Sequence, residues 1–275
     1  ASVSHAFCDA SRLALKARRY SSEVVTLAGH TAEVMCVAAA PDGRVITGSI
    51  DKTLKVWLNG ACERTIQAHT DWVHGVAVLP GGARFVSASE DRTAKLWTLD
   101  GALERTFEMI GYVMCVAALP DGVHFVVGLD RLKEVRLYHV DGTLVHSFKG
   151  HVGWVNVVAV TPDGEHIISG STDHTVKVWD VRSGRCVHTL AGHHGEISST
   201  QFNYTGDLCI SGSIDRTCKI WNVKTGQCIN TLRGHNDEIL DVAFNSNGGK
   251  LVTASADGTS RVYNTMTGAC QAILI

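Results

Sequence analysis

Five times along this chain of 275 residues a histidine, a hydroxyl, an aspartate and an aromatic ring recur in the same order. The sets are His30, Thr47, Asp51 and Trp57; His69, Ser87, Asp91 and Trp97; His151, Ser169, Asp173 and Trp179; His193, Ser211, Asp215 and Trp221; and His235, Thr253, Asp257 and Tyr263. A hydroxyl beside an imidazole that a carboxylate orients is the group set of an acyl-transfer triad. Repetition argues against that chemistry. An enzyme needs one site, whereas one set per repeat points to structure. No Gly-rich phosphate loop or Gly-x-Ser-x-Gly elbow accompanies the sets, and no Cys-x-x-Cys or Cys/His spacing suits zinc. The expectation is a protein that is no enzyme, with no catalytic residue, metal or cofactor.

The elements that must position these groups are short. From Gly150-His151 the chain runs through Trp154, the apolar segment Val155 to Val160 and the turn Pro162-Asp163-Gly164. Ile167-Ile168-Ser169, a second turn at Thr172-Asp173, and Val176 to Trp179-Asp180 follow. Each run is rich in Val and Ile and too short for a helix, so each reads as a strand. Histidines 30, 69, 151, 193 and 235 stand 39, 82, 42 and 42 residues apart, and the doubled gap marks a repeat that has lost its histidine. Trp57, Trp97, Tyr138, Trp179, Trp221 and Tyr263 follow at spacings of 40, 41, 41, 42 and 42. All four prolines fall between the first and second strand of a repeat, where Pro fixes one backbone angle and a following Gly supplies the left-handed residue.

A Gly-His opening and a Trp-Asp close about 40 residues apart, across four strands, resembles the repeat of the WD40 family. The resemblance covers residues 24–275. It implies an all-β propeller of six full four-stranded repeats, in which imidazole, hydroxyl, carboxylate and indole form one hydrogen-bonded chain per blade. Buried polar groups of this kind are satisfied together or not at all. Repeat three departs from the pattern: Met109 takes the histidine slot, Val126 the hydroxyl slot, and Asp130 lies eight residues before Tyr138. Apolar packing alone is expected to hold that blade, making it the least protected of the interior ones.

Residues 1–22 read either as a leader or as part of a closing, incomplete seventh blade, and residues 23–275 as the propeller. Asp9 and Leu15 echo the Asp-to-Trp spacing, and Val24 to Leu27 reads as a fourth strand leading into Gly29-His30. With 45% apolar residues and a net charge of −2, the chain can bury a large core and shows no electrostatic footprint for nucleic acid or a membrane surface. Its one basic cluster, Lys16, Arg18 and Arg19, reads as a solvated edge or tail. Ala1 to Tyr20 lacks the apolar segment of a signal peptide, so a cytoplasmic setting is expected. The nine cysteines include repeat-equivalent ones at 186, 228 and 270 that lie on different blades, too far apart to pair, and they read as reduced and mostly buried.

Propeller loops present a ring-shaped surface on which partners dock. The family resemblance implies three partner-facing positions per blade. The first holds Glu33, Trp72, Tyr112, Trp154, Glu196 and Glu238; the second Met35, His74, Met114, Asn156, Ser198 and Leu240; the third Ile50, Glu90, Leu129, Thr172, Ile214 and Ala256. Three consecutive blades offer large aromatics, which anchor partners well, and the carboxylate arc suits a partner's Lys or Arg. Segments of the last two repeats, Gly195 to Ser199, Gln201 to Asn203, Asp237 to Asp241 and Ala254 to Thr259, further resemble the WD-repeat factors that assemble and transport axonemal outer dynein arms. That resemblance implies an adaptor in a ciliary setting. The function expected is a scaffold that holds a partner peptide or loop on the propeller face, as a subunit of a larger complex. A substrate-recognition subunit in ubiquitin-dependent turnover is the second reading, and a propeller enzyme the third.

Overall fold

The computed structural model describes residues 25–275. They form six four-stranded antiparallel sheets, each a meander whose strands lie side by side in sequence order. Blade four shows the pattern, with strands Val155–Val160, His166–Ser171, Thr175–Asp180 and Cys186–Ala191. The first strands of the six blades are Val34–Ala39, Val73–Val78, Val113–Ala118, Val155–Val160, Ile197–Phe202 and Ile239–Phe244. Consecutive ones lie against each other from blade one to blade six, so the sheets are arrayed radially. No helix among the described residues is long and apolar enough to cross a membrane.

No blade buries its own faces. Between blades one and two, Ile46, Leu54, Val56 and Ile66 pack against Val73, Val76, Phe85 and Trp97. Four equivalent clusters join the later blades in turn. A fully buried side chain such as Phe85 or Trp179 contributes about 1.5–3 kcal/mol, a gain realised only once the neighbouring blade is present. The turns between first and second strands interlock on one face. A Cβ on Gly82 (φ 71°) would lie 2.7 Å from Cδ of Pro41 in the preceding blade, so both the left-handed backbone and the close approach require glycine there.

The arc has two flanks. Val252, Val262 and Leu274 of blade six match positions that are buried in the five other blades, for example Ile168, Val178 and Leu190, yet they are half-buried or exposed. Among the described residues blade six does not pack against blade one as consecutive blades do. At the other flank, Val25 lies over the turn at Gly60 just as Arg64 lies over Gly101, Arg105 over Gly142 and His146 over Gly184. Residues 25–27 therefore occupy the seat of a preceding blade's fourth strand. They are not in a strand, contrary to the expectation for Val24 to Leu27. No third strand lies beside them among the described residues to complete a ladder. The expectations for residues 1–24, including the leader or partial blade, lie outside the described residues.

Two further expectations are corrected. The ladder places Val127 opposite Arg136, where Thr47 faces Lys55, so Val127 and not Val126 holds the hydroxyl slot of blade three. A one-residue slip moves a side chain to the other face of the sheet. Among the described residues the cysteines divide evenly: Cys36, Cys115, Cys209 and Cys218 are buried, while Cys62, Cys186, Cys228 and Cys270 are exposed on fourth strands, and these eight are free thiols. Fourth strands form the outer edge of each blade, so a position repeated there is repeated in solvent.

Candidate functional site

In blade four the His151 ring nitrogen Nδ1 lies 2.7 Å from Asp173 Oδ2, its Nε2 lies 2.8 Å from Ser169 Oγ, and the Trp179 indole donates to that same Oγ at 2.8 Å. An ionised carboxylate only accepts. The chain therefore runs one way, from indole N–H to hydroxyl oxygen, hydroxyl to Nε2, and Nδ1–H to Asp173. Blades one, two and five repeat the chain with every bond between 2.7 and 2.9 Å. Ser87, Ser169 and Ser211 are fully buried and spend their hydroxyls inside the sheet. They reach no substrate.

Blade six keeps His235, Asp257 and Thr253 together, but Tyr263 leaves the set. Its hydroxyl donates to the Arg233 carbonyl at 3.3 Å. A phenol carries its polar atom at the tip of the ring and an indole on its side, so the tyrosine reaches past Thr253.

A fifth member escaped the sequence reading. Thr53, Thr93, Thr175, Thr217 and Thr259, each two residues after its aspartate, donate Oγ1–H and N–H to the carboxylate. The repeated Asp-x-Thr was the available signal. Burial opposes ionisation of these aspartates, yet the bonds from histidine, threonine and backbone N–H outweigh it and hold Asp51, Asp91, Asp173 and Asp215 well below the usual carboxylate range. Burial also holds the His69 imidazole below its ordinary value, against the pull of Asp91.

Blade three does not rest on apolar packing alone. Glu134, buried at the register position of Thr53, accepts from Arg136 Nε at 2.6 Å. Arg136 Nη1 lies 3.4 Å from the Tyr138 hydroxyl, which donates to Met109 Sδ at 3.3 Å. An ion pair extended through a phenol to a thioether replaces the lost quartet. Asp130 instead accepts from the N–H groups of Tyr112 and Arg131. Its own N–H donates to the Tyr112 carbonyl, as Glu90 N–H does to Trp72, so Asp130 holds the third rim position and Leu129 is buried in the core.

At the first rim position Trp72, Tyr112 and Trp154 are 40%, 42% and 50% exposed. Glu33 and Glu238 are exposed and Glu196 is half-buried. The second position shares a structural feature: Met35, His74, Met114, Asn156, Ser198 and Leu240 are the extra residues of a β-bulge near the start of each first strand. Some of them are already engaged. Asn156 Nδ2 donates to the Ile197 carbonyl at 3.2 Å and Ser198 to the Ile239 carbonyl, each tying its blade to the next. His74 Nε2 lies 2.8 Å from Glu90 Oε1, with the Trp72 ring centroid 6.2 Å from that of His74. Blade two thus brings first, second and third positions into one group. Of the other third-position residues, Ile50, Thr172 and Ile214 are half-buried and Ala256 is exposed. No group of His, Cys, Asp and Glu among the described residues is arranged to hold a metal ion.

The family model for the WD domain, G-beta repeat, matches residues 21–57, 60–98, 142–180, 184–222 and 226–264. The first three strands of blade three fall between these segments, where the quartet is lost. A phospholipase A-2-activating protein of Xenopus laevis is 44% identical over 55 residues, 20% of this chain and 7% of that protein. A lissencephaly-1 homolog of Branchiostoma floridae is 43% identical over 60 residues, 20% of this chain and 14% of that protein. A nuclear distribution protein PAC1 of Mycosarcoma maydis is 45% identical over 40 residues, 14% of this chain and 9% of that protein. The chain spans a small part of each of these relatives. With repeats matched over more than half its length and a quartet in four of its six blades, it belongs to the WD40 family.

Proposed function

We propose that this propeller is a non-enzymatic scaffold that holds a peptide or loop of another protein across the rim of first, second and third positions. One observation carries the reading. Three tryptophan or tyrosine side chains on consecutive blades stay substantially exposed at the rim, while the polar groups that resemble a catalytic set are buried and mutually satisfied. Aromatics of this size at a rim anchor partners, each contributing on the order of 2 kcal/mol or more as a hot spot. Glu196 and Glu238 give a partner's Lys or Arg a place on the opposite arc. The relatives are named as an activating protein, a lissencephaly homolog and a distribution protein, which accords with a scaffold role.

A ciliary placement with an axonemal cargo rests on the resemblance of the last two repeats alone, and a ubiquitin-pathway role is the alternative. Crosslinking mass spectrometry on native extract, with wild type beside the W72A/W154A variant, tests these readings together. Partners held by wild type and lost by the variant, at an unchanged melting temperature, support the rim. Axonemal or ligase neighbours among them select the setting. Equal capture by both proteins removes the rim assignment.

A further inference from the structure

The chain as a whole is nearly neutral, but the fold gathers cations on one sector of the rim. Arg92, Arg131, Lys133 and Lys149 are all exposed and come from blades two and three. Backbone contacts join them. The Arg92 carbonyl accepts from Met109 N–H at 2.9 Å, which sets it beside Ile110. A Cβ on Gly111 would lie 2.7 Å from the Arg131 Cβ, and Lys149 pairs across the ladder with Glu134, the residue after Lys133. Between these cations the surface is apolar: Ile110 is 62% exposed and Val152 is 75% exposed, with Tyr112 and Trp154 adjoining them in sequence.

The local carboxylates do little to cancel the charge. Asp130 is capped by two N–H groups, Asp173 belongs to its quartet and Glu134 is paired with Arg136, which leaves Glu108 as the exposed one. Arg92 and Lys133 hold left-handed backbone (φ 68° and 55°), as Lys52, His174 and Arg216 do at the same turn of the other blades and Gly258 does in blade six. What sets this sector apart is that Arg131 and Lys149 stand beside them.

We propose that this sector of blades two to four docks an acidic segment of a partner protein, one in which Asp or Glu alternates with Leu or Phe. The carboxylates meet Arg92, Arg131, Lys133 and Lys149, and the apolar side chains cover Ile110, Tyr112, Val152 and Trp154. This rests on the reading of the rim as a partner face and specifies the partner's chemistry there. Charge of one sign interleaved with apolar anchors selects a partner of the opposite sign and rejects its charge-reversed counterpart.

The probe is a short fluorescent peptide alternating Asp/Glu with Leu/Phe, compared by anisotropy with a version carrying Lys in place of each acid. The acidic peptide is expected to bind more tightly, to weaken as salt is raised, and to lose about tenfold in affinity to R131E/K133E, with a smaller loss to R131Q/K133Q. All variants are checked for an unchanged melting temperature. If the basic peptide binds better and is lost on W72A/W154A, the rim reading stands and this inference falls. Competition by single-stranded DNA at equal strength overturns the assignment to a protein partner. Binding of neither peptide overturns the inference as well.

Discussion

Replacing Ser169 with alanine removes one oxygen and strands two partners. Its Oγ, fully buried, accepts from the Trp179 indole at 2.8 Å and donates to His151 Nε2 at 2.8 Å. Ser169, Trp179 and His151 are all buried, so neither partner is left facing solvent. Leaving one buried polar group without a partner costs about 1–3 kcal/mol, so two stranded groups cost about 2–6 kcal/mol, less whatever side-chain adjustment recovers. The expected loss is therefore about 2–4 kcal/mol, well above the effect of an ordinary surface substitution. Blades in a radial array open in part, so the readout is local: amide exchange of strands His166–Ser171 and Thr175–Asp180, beside urea unfolding followed by circular dichroism. In the double variant S169A/W179F the stranded indole N–H is gone, and the cycle is expected to show coupling of about 1–2 kcal/mol. A loss below about 0.5 kcal/mol, or additive effects in the cycle, would refute the claim that the quartet pins the blade.

Blade three offers the opposite test, because its pair, buried at Glu134 and half-buried at Arg136, has partners of opposite charge. Glu134→Leu leaves Arg136 without its partner and is expected to cost about 1–3 kcal/mol, while E134L/R136L recovers most of that; equal losses in the two variants would sink the pairing argument. Acidification is expected to destabilise the protein in two stages. The folded-state value of His69 is depressed, so its contribution is present above its ordinary value of 6.5 and is lost as pH falls below it. The depressed quartet aspartates contribute above 3.8 and lose that contribution as pH falls below it. Urea midpoints across pH 7.5 to 3 that do not move would contradict both stages. Thiol labelling of the folded protein, mapped by mass spectrometry, should modify Cys62, Cys186, Cys228 and Cys270 and spare Cys36 and Cys115, whose thiols burial pushes up to about 12. Early labelling of the buried pair would show that the inter-blade core opens.

The repeat made much of this protein legible before any coordinate. Strand runs, turn prolines and the His-to-Asp spacing are local properties, and each repeat states them again, so six blades and five candidate quartets follow from sequence alone, four of which the structure completes. What a side chain meets across a blade or a blade boundary is not local. Tyr263 sits where four other blades carry tryptophan, yet its hydroxyl finds the Arg233 carbonyl because the geometry of a phenol differs from that of an indole. Glu134 and Arg136 lie two residues apart and read as surface charge until the register buries one beneath the other. Val126 and Val127 exchange roles on a single step of ladder, and His74 and Asn156, extra residues of a bulge, meet Glu90 and the Ile197 carbonyl. Arg92, Arg131 and Lys149 stand far apart in a nearly neutral sequence and share one rim only because the blades are arrayed about an axis. Composition fixes how many charges a chain carries; the packing of one repeat on the next decides which of them face the same partner.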